Sequence, residues 1–136
     1  MPSPAGSVAS CRSTPFYEWK KTPAGKQPYA IVGGDRLPLA MAGLWERWKD
    51  RSQTFTIITT VPNELCGAIH DRMPVVLPRE RWATWLGERE VNPDELRWMI
   101  LRTYPAGFMR AYPVGVHVGN VRNNDAALLD EISLAA

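Results

Sequence analysis

Polar and apolar residues alternate in short runs through the first half of the chain, whereas apolar residues recur every three or four positions after Pro78. A period of two is typical of half-buried strands, and a period near 3.6 is typical of amphipathic helices. The clearest alternation, over residues 54–60, predicts a strand rich in Thr and Ile. The same criteria predict further strands at residues 16–21, 28–32, 39–48, 72–77 and 109–121.

Two helices are predicted in the C-terminal part of the chain, with one short helix before them. The first ends near Gly87 and carries three apolar residues on one face: Trp82, Trp85 and Leu86. The second begins at Asn92, a typical N-cap residue, with Pro93 at the first helical position. A short helix of one or two turns is predicted after Asn63, and it brings His70 to a helix end.

These elements define a single domain with a simple architecture. Residues 33–36 (GGDR) predict a tight turn, which makes a hairpin of the strands at 28–32 and 39–48. We expect residues 1–15, rich in Pro, Ser, Ala and Gly, to form a disordered or loosely packed tail before a domain over residues 16–136. The predicted fold class is α+β: a mostly antiparallel sheet or open barrel with two or three flanking helices.

The composition is that of an ordinary globular protein. Of 136 residues, 45% are hydrophobic and 22% are charged, and no apolar run approaches the roughly 18 residues of a membrane helix. The start lacks the pattern of a secretory signal, so we expect a cytoplasmic protein that does not enter membranes. Net charge is +2, but residues 1–51 hold eight Lys and Arg against four Asp and Glu. This bias is weak evidence for nucleic-acid binding, because a solvated basic face is its commoner explanation.

The most concentrated group of polar residues is the run His70, Asp71 and Arg72, directly before a predicted buried strand. Charged residues crowded against a core element often serve in chemistry or recognition. The alternative is structural: Asp71 and Arg72 neutralise each other and His70 closes the end of the short helix. Local chemistry leaves both interpretations open.

Glu18 is the second candidate, since it stands between Tyr17 and Trp19 on a predicted strand. Aromatic neighbours can exclude water from a carboxylate, which raises its pKa towards that of a general acid. The alternative is a surface carboxylate paired with Lys20 or Lys21.

Other chemical motifs are not supported. Four residues are possible zinc ligands: Cys11, Cys66, His70 and His117. Only Cys66 and His70 have a spacing that could meet one ion, there is no paired CxxC, and we predict no metal or cofactor. The phosphate-binding loops GxxxxGK[ST] and GxGxxG and the nucleophile motif GxSxG are absent from the sequence. His117, between two valines, is interpreted as a strand histidine.

Five segments occur in an order that is specific to one family. They are residues 16–19 (FYEW), 42–46 (AGLWE), 56–60 (TIITT), 69–74 (IHDRMP) and 118–123 (VGNVRN). With these, the chain resembles the SOS response-associated peptidase family, the abasic-site processing proteins, from about residue 16 to residue 124. The combination of FYEW with a later IHDRMP carries most of the resemblance.

The resemblance implies a function on single-stranded DNA that contains abasic sites, as part of the response to DNA damage. In that family an N-terminal cysteine attacks the aldehyde of the ring-opened deoxyribose. Its α-amine, with a pKa of about 7.7–8.0, forms an imine, and its thiol then closes a thiazolidine. The product is a covalent DNA–protein crosslink, and the family also has autoproteolytic peptidase character. A cytoplasmic protein that associates with the nucleoid when bound to DNA is expected.

The resemblance also implies site residues. Glu18 matches the glutamate that assists ring opening and proton transfer, and His70 matches the histidine that moves protons at the sugar oxygen and the imine. Arg72 would hold a phosphate next to the lesion, and Thr59 would line the abasic-site pocket. Trp45 and Glu46 are expected to brace the site rather than to contact DNA.

One departure concerns the nucleophile. Family members carry a longer segment before FYEW, which begins Met-Cys-Gly, whereas fifteen residues precede Phe16 in this sequence and position 2 is Pro. We therefore expect the chain to correspond to the C-terminal part of such a protein, with impaired crosslinking. The alternative function is weak, non-covalent binding of single-stranded DNA by an inactive remnant. A sheet that lacks strands would also expose an edge through which the chain self-associates.

Overall fold

The computed structural model describes the backbone of residues 7–13 and the backbone and side chains of residues 15–134. This part of the chain forms nine strands and three short α-helices. The strands are β1 (Ser7–Ser13), β2 (Phe16–Thr22), β3 (Gly25–Gly33), β4 (Leu39–Arg47), β5 (Gln53–Ile57), β6 (Thr59–Thr60), β7 (Met73–Pro74), β8 (Val76–Leu77) and β9 (Met109–Pro113). The helices are α1 (Glu64–Gly67), α2 (Trp82–Trp85) and α3 (Pro93–Leu101). Four 3₁₀ turns lie at Arg79–Arg81, Ala106–Phe108, Val116–Gly119 and Ala126–Leu129.

The strands form three antiparallel sheets. In the largest, β4 lies between β1 and β5 and also pairs with β8. The second sheet has the order β2-β3-β9, and the third consists of β6 and β7. This architecture confirms the predicted α+β class of mostly antiparallel, open sheet with three small helices.

Residues 58 and 75 join the small two-stranded sheet to the largest one. The Val75 N–H donates to the Ile58 carbonyl oxygen at 2.8 Å, and the Ile58 N–H donates to the Ala42 carbonyl oxygen at 3.0 Å. The Ala42 N–H in turn donates to the Val75 carbonyl oxygen at 2.8 Å. These bonds satisfy the backbone where two predicted strands, 54–60 and 72–77, each divide into two shorter strands.

Two apolar clusters form the core. One lies beneath α1 and includes Ile31, Cys66 and Met73; the other lies beneath α2 and α3 and includes Trp85 and Met99. The N-terminal half of β4 is buried throughout, as its continuous apolar run requires.

The helix starts follow the sequence signals closely. Asn92 caps α3, since its Oδ1 accepts a hydrogen bond from the Glu95 N–H at 2.8 Å, and Pro93 occupies the first turn. Trp82 and Trp85 lie on α2 as predicted, although Leu86 remains 39% exposed. In the described part of the chain, no helix has the length and apolar character needed to span a membrane.

The predicted hairpin is wrong, because β3 and β4 belong to different sheets. Both edges of β3 are occupied by β2 and β9, so β4 has no place beside it. The turn itself exists: the Arg36 N–H donates to the Gly33 carbonyl oxygen at 2.9 Å, and Arg36 has a φ of 62°. It carries the chain from one sheet to the other.

Two further expectations differ from the structure. Residues 7–13, expected within a loose tail, form β1, which pairs with β4 from Ser7↔Trp45 to Ser13↔Leu39. An exposed edge of β4 explains why a segment of weak local propensity becomes a strand. Strand β9 ends at Pro113 rather than continuing to residue 121, and His117 lies in the 3₁₀ turn Val116–Gly119, not in a strand.

Candidate functional site

Asn63 organises the segment that carries His70. Its Oδ1 accepts a hydrogen bond from the Cys66 N–H at 2.9 Å, which caps α1, and its Nδ2 donates to the Tyr104 carbonyl oxygen at 2.6 Å. At the other end of α1, the N–H groups of Ile69 and His70 both donate to the Cys66 carbonyl oxygen. The short helix therefore has satisfied ends, and His70 leaves it at a fixed place.

His70 and Glu18 face each other from different elements. Glu18 lies on β2, opposite Tyr29 of β3, and its Oε2 lies 4.0 Å from the Nδ1 of His70. The Glu18 side chain is 24% exposed and that of His70 is 43% exposed. The pair thus lies at the surface, in reach of solvent, with its carboxylate the more enclosed of the two groups.

The Nδ1 of His70 has several partners that require different protonation states. The Arg72 N–H donates to it at 3.2 Å, which requires an unprotonated Nδ1. The Asp71 Oδ1 lies 3.2 Å away, and this contact favours a protonated Nδ1. The ring of His70 is therefore held by contacts with the two residues that follow it in the chain.

Burial raises the pKa of Glu18 above its ordinary value of 4.5. The positive form of His70 opposes this shift, and the charge of Asp71 adds to it, with the net direction upward. A glutamate with a raised pKa keeps a larger protonated fraction near neutral pH, so it is a better proton donor than a surface carboxylate.

Arg72 is held by Thr59. Its Nη2 donates to the Thr59 carbonyl oxygen at 2.7 Å and to the hydroxyl at 3.2 Å, and its Nε donates to the same hydroxyl at 3.2 Å. Thr59 lies in β6, paired with Pro74 of β7, so the bond spans two adjacent strands. The guanidinium is oriented but keeps its charge, because no carboxylate among the described residues neutralises it.

The structure shows which contacts these residues make. Among the described residues, the carboxylate of Glu18 pairs with His70 and not with Lys20 or Lys21, and Asp71 forms an ion pair with His70 and not with Arg72. The backbone of His70 closes α1, as the structural interpretation predicts, while its ring faces Glu18.

Other predicted residues lie elsewhere. Trp45 and Glu46 are in β4, where they pair with Phe55 and Thr54 of β5, in a different sheet from Glu18. Among the described residues, no hydrogen bond or ion pair joins them to the Glu18–His70 pair.

Cys66 lies behind the site in the core, with 1% of its surface exposed. Burial, followed by the negative charge of Glu18, raises the pKa of its thiol to about 11. A buried thiol with so little thiolate is a packing residue. Cys11 is the other possible cysteine ligand, and its side chain lies outside the described part of the chain. Among the described residues, no group of three or more His, Cys, Asp or Glu is placed to hold a metal.

Comparison with known proteins identifies the family. The model of the SRAP family (SOS response associated peptidase) matches residues 11–121. The chain therefore belongs to the SOS response-associated peptidase family, as the motifs from FYEW to VGNVRN predicted.

Curated relatives carry one functional name. The chain is 42% identical over 120 residues to the abasic site processing protein YoaM of Bacillus subtilis, covering 85% of this chain and 52% of that protein. It is 31% identical over 128 residues to the abasic site processing protein YedK of Escherichia coli, covering 91% and 57%. It is 31% identical over 143 residues to the abasic site processing protein HMCES of Xenopus tropicalis, covering 88% and 42%. The chain spans about half the length of the curated relatives it matches.

Solved structures share the fold. A protein from Bacteroides thetaiotaomicron superposes with a TM-score of 0.81 at 27% identity, over 93% of this chain and 57% of that one. A phage-related protein from Bordetella bronchiseptica gives a TM-score of 0.61 at 29% identity, over 79% and 53%.

Two contacts around the four predicted site residues were not predicted from the sequence. The contact between Asp71 and His70 was not anticipated, although their adjacency in the chain was a signal. The dual role of Asn63, which caps α1 and also binds the Tyr104 carbonyl oxygen, depends on a tertiary contact that local patterns do not show.

Proposed function

We propose that Glu18, His70, Arg72 and Thr59 form a pocket for an abasic site in single-stranded DNA, and that the protein acts in the DNA damage response. The observation that carries this proposal is the approach of Glu18 to His70, whose Nδ1 accepts from the backbone N–H of Arg72, the arginine held by Thr59. Three curated relatives named abasic site processing proteins support it.

Each group has a chemical task in this proposal. Arg72 binds the phosphate next to the missing base, since a guanidinium donates two parallel hydrogen bonds to a phosphate. Glu18, with its raised pKa, gives a proton to the ring oxygen of the sugar as the ring opens to the aldehyde. His70 exchanges protons at the same centre, and its two sets of Nδ1 partners suit that task.

The covalent part of the proposal is the crosslink, which we expect to be impaired in this chain, with the autoproteolytic peptidase character that the family name suggests. Imine formation joins a primary amine to the aldehyde carbon with loss of water, and thiazolidine closure adds a thiol sulfur to that imine carbon. One cysteine with a free α-amine supplies both groups. Cys66 supplies neither, because it is internal and its thiol is buried.

Non-covalent recognition is therefore the second candidate function. The charged guanidinium of Arg72 and the partly exposed His70 favour it, because both groups are available to a bound strand. In either case the DNA partner in the cell would be the damaged strand of the nucleoid.

The test separates binding from covalent capture. Fluorescence anisotropy with single-stranded DNA that contains one abasic site should show binding by the 136-residue chain. We expect His70→Ala to bind more weakly than wild type. We expect neither protein to give a heat-stable band on a denaturing gel. Equal affinity for abasic and intact DNA would reject the pocket, whereas a heat-stable band that persists in Cys66→Ser would show that another nucleophile captures the aldehyde.

A further inference from the structure

A second cavity lies away from the Glu18–His70 pair, between the residues that follow β8 and the C-terminal end of α3. Its volume is about 410 Å³, which is within the range of roughly 300–1,000 Å³ found for small-ligand sites. We call it the arginine groove and define it by six of its lining residues: Arg79, Arg81, Trp98, Arg102, Tyr104 and Phe108. None of the four proposed pocket residues lines it.

The groove carries positive charge that the described residues do not neutralise. Arg81 forms an ion pair with Glu95 at 3.4 Å, but neither Arg79 nor Arg102 has a carboxylate partner within the described part of the chain. One carboxylate, that of Glu80, also lines the groove. With Arg81 paired to Glu95, the two guanidiniums of Arg79 and Arg102 face a single lining carboxylate, so the groove keeps a net positive charge that favours an anion.

Aromatic rings hold the guanidiniums in place. The guanidinium of Arg102 lies 4.4 Å from the centre of the Trp98 ring, and that of Arg81 lies 5.9 Å from it. Arg79 lies 5.3 Å from the centre of the Trp82 ring. Stacking on a ring orders an arginine without removing its charge, and its N–H edge stays available to a phosphate.

The same groove exposes large apolar surface. Trp98 is 49% exposed and Phe108 is 63% exposed, and Phe108 packs edge-on against Tyr104 with 6.2 Å between the ring centres. Exposed aromatic rings beside ordered cations are the combination that binds single-stranded nucleic acids, because every base has a face that stacks and every linkage has a phosphate.

We propose that the arginine groove binds a stretch of single-stranded DNA outside the abasic-site pocket. Arg79 and Arg102 contact phosphates, and a base packs against Phe108. This inference rests on the proposed function in taking the ligand to be the same DNA strand that the pocket recognises. The contact is independent of the lesion, since phosphates and stacked bases occur in any single strand.

The double variant Arg79→Ala/Arg102→Ala tests the groove with an intact thymidine oligonucleotide. Both side chains are exposed, so thermal unfolding is expected to match wild type. Each lost phosphate contact lowers the salt dependence of binding, plotted as log K against log salt, by about 0.7. Arg97→Ala, an exposed arginine of α3 outside the groove, is the matched control with little change in slope. Phe108→Ala should weaken binding with the slope retained.

The outcomes separate this proposal from the proposed function. If both proposals hold, the double variant binds abasic and intact DNA more weakly by the same factor, so its preference for abasic DNA is unchanged, whereas Arg72→Ala loses that preference. If only the pocket is wrong, every variant binds abasic and intact DNA equally, but the double variant still binds both more weakly than wild type. A double variant that binds intact DNA like Arg97→Ala overturns the groove. So does a sedimentation result in which the double mutation dissociates a dimer, because a second copy would then be its occupant.

Discussion

The Nδ1 of His70 lies 4.0 Å from the Oε2 of Glu18, although one residue is on a strand of the three-stranded sheet and the other follows a helix. Burial raises the pKa of Glu18, and the charge of Asp71 adds to this shift while His70 opposes it. The first three predictions concern Glu18 and two residues of the segment that leads to His70.

Glu18→Gln should flatten the pH dependence of stability. Below pH 4.5, the ordinary pKa of the group, Glu18 is protonated in both the folded and the unfolded chain. Between that value and the raised pKa, the folded state binds more protons, so the free energy of unfolding falls as pH rises. The glutamine variant lacks this decline. Urea unfolding of both proteins from pH 4 to pH 8 measures the difference, and an equal or steeper decline in Glu18→Gln contradicts the assignment.

Asn63→Ala should be much more destabilising than Asn92→Ala, although both residues cap helices. Loss of an exposed cap costs about 1 kcal/mol, as expected at Asn92. Asn63 is only 6% exposed and also donates to the Tyr104 carbonyl oxygen. Leaving that part-buried carbonyl oxygen without its partner adds up to about 1–3 kcal/mol. Equal free energies of unfolding for the two variants would contradict this account of α1.

Cys66 should resist thiol reagents in the folded protein. A pKa of about 11 against an ordinary value of 9.0 reduces the thiolate fraction near neutral pH by about a hundredfold. The measurement is alkylation by iodoacetamide in a Cys11→Ser background, with and without urea. Labelling should be at least a hundredfold slower in the folded state than in urea. Rapid labelling of the folded protein would contradict the assignment of Cys66 as a packing residue.

Self-association through β5 remains a prediction from the sequence that the structure makes specific. Within the described residues, β5 pairs only with β4, and its Phe55 is 62% exposed. A charged residue on an edge strand opposes pairing with another chain. Phe55→Lys should therefore shift sedimentation equilibrium towards monomer, whereas Val121→Lys, at a 97% exposed position outside the strands, should not. A wild-type chain that is monomeric at every concentration tested would contradict self-association through β5.

Local signals predicted those parts of the fold that depend on neighbouring residues. The caps at Asn63 and Asn92 and the turn at residues 33–36 follow from side-chain and backbone preferences over a few positions. The wrong hairpin has a different origin. A tight turn does not determine whether the strands beside it pair, because β2 and β9 compete for the edges of β3.

In the candidate site, too, local motifs were visible in the sequence but tertiary contacts were not. Motifs identified Glu18, Thr59, His70 and Arg72, but the sequence did not show that Thr59 orients Arg72 or that Asp71 contacts His70. The arginine groove was not predicted, because it forms where two segments distant in sequence, residues 76–81 and 98–108, meet. Such sites form only when the chain folds.

The most direct test of the abasic-site pocket is the ratio of affinities for two single strands of equal sequence, one intact and one with a tetrahydrofuran abasic analogue. The analogue has no aldehyde, so the ratio reports recognition alone. We predict that wild type and Arg97→Ala prefer the abasic strand, and that Arg72→Ala loses this preference, with an affinity about tenfold lower, as loss of one charged hydrogen-bond pair implies. Equal affinities for both strands in wild type, or a preference unchanged in Arg72→Ala, would contradict the account.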